Sequence, residues 1–475
     1  MKKQILLLAV AIATMSVSAQ QLLIINNEQA IALSDFDHIS YEANPTFADE
    51  LLPGKLTSDP NITIFSEALK LTGLADSLLN VADPTYPREL AGTTVMIRGG
   101  SAESAYSRAD YRPNRPRRYT IFVETDDVLR AAGINNLEDL KAWAKKTYDA
   151  VFPEDADISD PTDRSNSLNR FVAYHILRHS PGYAWLVGAN DKNTVSTACF
   201  IGTVRDASAY YETMMPYASI KCSYPTNVSP VGIYLNRHGL QENCTVRGAH
   251  IVADDQQEYE HVINNGIYYY IDQLIAYDNT TQKQVLDEAW RVDFKALSPD
   301  IMNIVGIGAN QDMFYAFPNG FVENYQSDGQ LVAYHPFSYW WNCYEGDGLL
   351  CPNAKNITVK LPPLPNGKWQ VRLGYTASQQ RPIINTYIDG ALQFKDINLK
   401  TYFYDGNYDD YTMPGIDDYA QGATNPLSQN VTSLRRIIGT VESNGKNDHF
   451  LRIEVITEDP DSYLLLDYLE LVPIK

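Results

Sequence analysis

Two hydrophobic rhythms divide the chain a little past its middle. Before about residue 278, short β-branched and aromatic runs alternate with stretches whose apolar residues recur every three or four positions. After it, apolar residues fall mainly at every second position, the pattern of half-buried strands. Thr120 to Val123 is a compact apolar run suited to a buried strand. Thr125 offers a hydroxyl to cap a following helix, Asp126 and Asp127 put negative charge in its first turn, and Gly133 stands where a left-handed C-cap is needed. Asp59-Pro60 predicts a helix start, with Asp59 as the cap, Ile62, Phe65 and Leu69 on one face, and Gly73 as the stop before a second helix from Leu74. Asn136 to Lys146 reads as a further capped helix. Ser167 to Leu177 places Leu168, Phe171, Val172, His175 and Ile176 on one helical face.

In the second part Trp290, Val292 and Phe294 alternate, as do Ile357, Val359 and Leu361, then Trp369, Val371, Leu373 and Tyr375. Asn385 to Asp389 closes on Asp389-Gly390, a hairpin signal, and Leu451, Ile453, Val455 and Leu465 to Val472 supply the last strands. Many short strands separated by Pro and Gly predict an antiparallel sandwich.

Three stretches of the first part, in order, resemble the fasciclin domain, a non-catalytic adhesion and binding module: Tyr119 to Gly133, Leu168 to Leu177 with its Tyr174-His175 pair, and Asn264 to Asp278. The helices from Ile62 to Leu79 precede the first of them, as the family order requires. The resemblance implies an α+β fasciclin-like domain over residues 33–278, in which Tyr174 and His175 serve adhesion or hold the domain together. On the residues alone, His175 lies on the apolar stripe and reads as a hydrogen-bonded core histidine. Tyr269 stands where the family often has His, which weakens the transfer of a family binding site. Residues 279–475, through Pro362 to Trp369 and Leu465 to Pro473, resemble the jelly-roll or galactose-binding-like domains that follow fasciclin domains in exported proteins of glycan-degrading Gram-negative bacteria. That second resemblance implies association with glycan capture at the outer membrane.

Composition sets the compartment. Lys2, Lys3, the apolar run Ile5 to Ala13 and the small residues before Gln20 form a signal peptide over residues 1–19, so an exported protein is expected. The periplasm or the outer-membrane surface is the expected location, without a lipid anchor of its own and with no transmembrane segment after the signal is removed. Asp+Glu number 58 against 38 Lys+Arg, for a net charge of −20, which argues against nucleic acid or an anionic membrane as partner. Five cysteines is an odd count for an oxidising compartment; Cys343 and Cys351, flanking a short loop, are the expected disulfide, and one pair can form among Cys199, Cys222 and Cys244.

Candidate chemistry is sparse. The segment Gly99 to Arg118 gathers Arg108, Arg112, Arg115, Arg117 and Arg118 in an acidic protein. Arg115, Arg117 and Arg118 suit either an exposed loop gripping sulfate, uronate or phosphate, or a loop paired with neighbouring carboxylates. Tyr339, Trp340, Trp341 and Tyr344 form an aromatic cluster on which sugar rings can stack, and in a strand the two indoles point to opposite faces. His175 and His179 have the four-residue spacing of a zinc pair, but His-Ile-Leu-Arg-His lacks a metalloprotease Glu, and His179 also reads as a charge at a helix end. The acidic run Tyr404 to Tyr419 does not follow calcium-loop spacing. No cofactor, metal site or catalytic motif is expected. The leading expectation is a non-catalytic exported binding or adhesion protein contacting glycan or a cell-surface protein. The alternatives are a structural accessory subunit docking on an outer-membrane transporter complex, and a glycoside hydrolase, which needs only two facing carboxylates.

Overall fold

The computed structural model describes residues 22–25 and 29–32 and, from 48 to 475, all but 91, 99–105, 113, 188–206, 226–227, 240–243, 306–312, 336–347, 378–379, 401–432, 458 and 460–461. The chain divides into two compact units. In the first, Met1–Ala48, Leu22–Ile25 pairs antiparallel with Gln29–Ala32. The second, Asp49–Lys475, is rich in β-structure and holds several antiparallel pairings.

Tyr119–Glu124 is buried along its whole length, as its apolar run predicts, because it pairs in parallel with Gly266–Ile271 at the heart of a mixed sheet. Ile176–Leu177 flanks it on one side. Beyond Gly266–Ile271 follow Ala249–Val252, Tyr234–Leu235, Ser219–Tyr224 and Ala207–Glu212, while His261–Ile263 hairpins back onto Gly266–Ile271. Gly266 is required at the entry to its strand, since a Cβ there would sit 2.1 Å from the Tyr119 carbonyl oxygen. Helices Thr63–Leu71, Leu137–Asp149 and Ser167–Tyr174 contribute Phe65, Leu140 and Phe171 to the same core as Phe122 and Tyr269.

Thr125 caps Asp126–Ala131 as expected, accepting from the Val128 N–H, and Asn136 caps Leu137–Asp149 through the Asp139 N–H. Asp59 does not act as expected. The helix starts at Thr63, and its first turn is capped from across the fold by Asp126, which accepts the Ile64 N–H at 3.0 Å and the Thr63 hydroxyl at 2.5 Å. Asp59 instead closes the preceding helix Leu52–Ser58, and its carboxylate accepts the Asn61 N–H and the hydroxyls of Tyr268 and Tyr270. The helix expected through Leu177 stops at Tyr174, because Ile176–Leu177 leaves it to pair with Tyr119–Glu124.

The alternating second part forms two antiparallel sheets. One runs Trp290–Asp293, Tyr468–Pro473, Gly367–Thr376, Ser433–Ser443; the other runs Tyr325–Ser327, Asn356–Lys360, Phe450–Val455, Ile383–Ile388, Ala391–Asn398. Val371, Leu373, Leu469, Ile384, Leu451 and Ile453 turn inward from both into one core that continues into the mixed sheet. The Thr386 hydroxyl donates to the Ile438 carbonyl across the two layers. Asp389 and Gly390, both at positive φ, make the predicted hairpin turn between Ile383–Ile388 and Ala391–Asn398.

A six-stranded sheet joins the two parts. Leu464–Leu466, Gly348–Cys351, Leu331–His335 and Met313–Phe317 are followed by Tyr106–Tyr111, paired in parallel with Met313–Phe317, and by Thr94–Arg98. The arginine-bearing segment thus supplies a strand that crosses the expected boundary at residues 278 and 279.

Candidate functional site

Tyr174 and His175 lie at the centre of the first part, wholly buried. The His175 Nδ1 stands 2.7 Å from the Phe171 carbonyl and must carry a proton to donate there; Nε2 stands 2.9 Å from Glu124 Oε1. The ring thus bridges a helix carbonyl and a strand carboxylate, in a cage of Phe65, Phe171 and Tyr174 rings. Glu124 Oε1 also accepts the Ile275 N–H at 3.1 Å, which ties the pair to the end of the Gly266–Ile271 strand. The Tyr174 hydroxyl donates to the Ser219 carbonyl at 3.1 Å and accepts from the Asn236 amide at 2.9 Å. None of these groups reaches solvent. His179, beyond the end of the helix, is buried with its ring on Tyr211; burial, with the Arg178 charge beside it, holds it down at about 3, so it is neutral and is not the helix-end charge its position suggests.

The arginines form a seam inside the molecule. Arg115 grips Asp300 with both arms of its fork, at 2.6 and 2.7 Å, and Asp83 at 2.7 Å. Hydrogen bonds from the Thr85 hydroxyl and N–H, with the Arg115 guanidinium, hold the Asp83 carboxyl at about 2 against partial burial. Arg117 lies 3.8 Å from Asp83 and 3.6 Å from Glu323. Arg178 bonds Glu323 and approaches Glu212, and Glu212 accepts from Lys360 in the five-stranded sheet. Arg115 and Arg117 thus pair with carboxylates, while Arg118 is exposed.

Tyr339, Trp340, Trp341, Cys343 and Tyr344, and the acidic run 404–419, lie outside the described residues. Cys351 is a free buried thiol in the strand Gly348–Cys351, with its Sγ directed at the Leu349 carbonyl, and its expected disulfide partner Cys343 lies outside the described residues. Cys222 and Cys244 are free as well, the first buried in a central strand and the second partly exposed. Among the described residues no group of three or more His, Cys, Asp or Glu side chains could hold a metal ion, and no helix is long and apolar enough to cross a membrane.

The residues that sequence reading passed over form the solvent face of the five-stranded sheet. Alternation turns Ile384, Thr386, Ile388, Leu451 and Ile453 inward and leaves Asn385, Tyr387, Arg452, Glu454, Asn356 and Thr358 half-buried on the outside. Register then sets them in rows: Asn356, Glu454 and Asn385 oppose one another, as do Thr358, Arg452 and Tyr387. The Tyr387 hydroxyl donates to Glu454 Oε2 at 2.6 Å and the Asn385 amide donates to the same oxygen at 2.9 Å, which keeps the Glu454 carboxyl below its ordinary range. The Arg452 guanidinium lies 3.6 Å from the Tyr387 ring centre and donates to Asn356 Oδ1 at 3.0 Å. A flat ring, a guanidinium, a carboxylate and two amides thus share one open surface. The outward positions follow from the alternation around Asp389-Gly390 and in Leu451 to Val455; the pairing of distant strands that assembles them does not.

No protein-family model matches the chain, and no curated protein matches it. Solved structures with some likeness include a xanthan lyase from Paenibacillus, 15% identical over 31% of this chain and 12% of that one, with a TM-score of 0.23. A beta-glucuronidase from Bacteroides uniformis is 10% identical over 29% of this chain and 12% of its own, with a TM-score of 0.17. The insecticidal crystal protein CRY2AA is 10% identical over 73% and 69% of the two chains, with a TM-score of 0.21. The chain spans only 12% of the first two, and likenesses at these TM-scores carry no argument about fold or function.

Proposed function

We propose that the protein is a non-catalytic exported binding or adhesion protein that contacts glycan through the outer face of its five-stranded sheet. In this reading the first part is a fasciclin-like domain and the second a jelly-roll-like sandwich. The fasciclin reading is supported by the order of its pieces: the strand Tyr119–Glu124, its capped helix, the Tyr174-His175 helix and the strand Gly266–Ile271 that pairs with the first. The observation that carries the function is the row of Tyr387, Arg452, Glu454 and Asn385. Sugar rings offer C–H faces to an aromatic ring and hydroxyl pairs to carboxylates, amides and guanidinium forks, and this face presents each of these on a rigid sheet.

A glycan array probed with the intact protein, beside Tyr387→Ala and Glu454→Gln variants of matched unfolding midpoint, tests the proposal. At least one glycan class is expected to bind, with binding lost in Tyr387→Ala and weakened roughly tenfold in Glu454→Gln, the loss of one good hydrogen-bonded contact. Failure of the unmodified protein to bind any glycan, or binding unchanged in both variants, overturns it.

A further inference from the structure

A cavity of about 610 Å³ opens in the molecule's first part, between the helix Leu137–Asp149, the segment 156–161 and the start of Ser167–Tyr174. That volume lies in the range of small-molecule sites, roughly 300–1,000 Å³. Leu71, Ile158, Pro161 and Leu168 give its lining apolar surface, and Lys141 and Lys145, one helical turn apart, line it from the helix. We propose that this cavity binds a small molecule carrying one carboxylate and an apolar face.

The two lysines differ in how firmly they are held. Lys145 bonds Asp149 at 2.7 Å and the Ala156 carbonyl, and Asp149 is held in turn by the Ser167 hydroxyl at 2.8 Å. Lys141 has only Glu138, at 2.6 Å, with side chains 38% and 78% exposed. An exposed pair of this kind is worth under about 1 kcal/mol, so a ligand carboxylate can take the place of Glu138, with Lys145, itself 60% exposed but bonded to two partners, as the second donor. Asp157 also lines the cavity and sets the charge limit. Glu138 and Asp149 already pair with the two lysines and Asp157 adds a third carboxylate, so the site accepts at most one negative charge, and only by displacing Glu138; a dianionic phosphate is disfavoured. The apolar lining supplies the remaining affinity by burying the body of the ligand. Aliphatic acids and uronic acids share this chemistry.

Ligand-detected NMR on the intact protein with hexanoate, glucuronate and glucose separates the sources. At least one of the two carboxylates is expected to bind and glucose is not. Binding should weaken at least about tenfold in the Lys141→Ala/Lys145→Ala double variant, and disappear in Ser159→Trp, which fills the mouth from an exposed position. Hexanoate alone assigns the site to aliphatic acids, glucuronate alone to sugar acids, and both together to the shared carboxylate chemistry. Absence of both signals, equal binding of glucose, or carboxylate binding unaffected by the lysine substitutions overturns the proposal. The site is independent of the sheet face, so glycan binding there should persist in all these variants.

Discussion

Tyr174, His175 and Glu124 in the first part and Tyr387, Arg452 and Glu454 in the second are built from the same three ingredients: a phenol, a cationic or protonatable nitrogen group and a carboxylate. The first set has no contact with solvent, and its hydrogen bonds run to the backbone and to other members of the core, with Glu124 Oε2 left buried and unpaired. The second lies half-open on a sheet whose stability comes from the apolar residues on the opposite face. Chemistry alone therefore does not separate a structural knot from a binding surface. Burial does, because a buried carboxylate cannot exchange its partner for a ligand without exposing an unpaired charge, whereas Glu454 can trade a neighbouring hydroxyl for a sugar's at little cost.

The largest effect should come from cutting the buried knot. Glu124→Ala removes the acceptor for His175 Nε2 and for the Ile275 N–H together, and should cost about 3–5 kcal/mol in urea unfolding. Glu124→Gln keeps an oxygen for both donors and should cost about 1–3 kcal/mol. If Glu124→Ala unfolds within about 1 kcal/mol of the unmodified protein, the knot contributes little and the contrast with the sheet face collapses.

A second effect, spread over pH, belongs to the same core. His179 is held at about 3 in the folded protein against an ordinary value of 6.5. The unfolded chain binds a proton there between those values and the folded protein does not, so this residue makes stability fall as pH drops from 6.5 towards 3, with a slope of up to about 1.4 kcal/mol per pH unit. His179→Phe, which keeps a flat ring against Tyr211, should flatten the acid limb of the stability curve and leave the neutral limb in place. An unaltered acid limb would mean that the ring is protonated in the folded state.

Much of this contrast was legible in the sequence, and the remainder was hidden for identifiable reasons. The capped helix after Thr125, the core position of His175 and the alternation of the second part followed from local spacing, and the structure has all three. The role of Asp59 was not legible, because its partners Tyr268 and Tyr270 are about two hundred positions away and Asp126 caps the helix in its place. The arginine segment left two readings open. Arg115 and Arg117 pair with neighbouring carboxylates, Asp83 coming beside them through the Ala82–Pro116 bridge and Asp300 and Glu323 from segments far along the chain. The outer face of the five-stranded sheet was visible only as a set of outward positions. Register across Asn356–Lys360, Phe450–Val455 and Ile383–Ile388 puts Glu454 between Asn356 and Asn385, and nothing within any one strand encodes that.

The smallest stability effect should fall on that face, and its smallness sharpens the comparison. Tyr387 and Glu454 share one hydrogen bond on a half-open surface, and water can replace either partner when the other is removed. Tyr387→Phe, Glu454→Ala and the double variant should each unfold within about 1 kcal/mol of the parent, with a coupling energy between the two positions of under about 1 kcal/mol. Tyr174→Phe, which removes one buried hydroxyl and leaves the Ser219 carbonyl and Asn236 without it, should cost more, about 1–3 kcal/mol. A coupling between Tyr387 and Glu454 as large as the cost of Tyr174→Phe would mean that the sheet face is locked as tightly as the core. Its groups could then not be released to a ligand, and the distinction between the two regions would fail at the face where binding is placed.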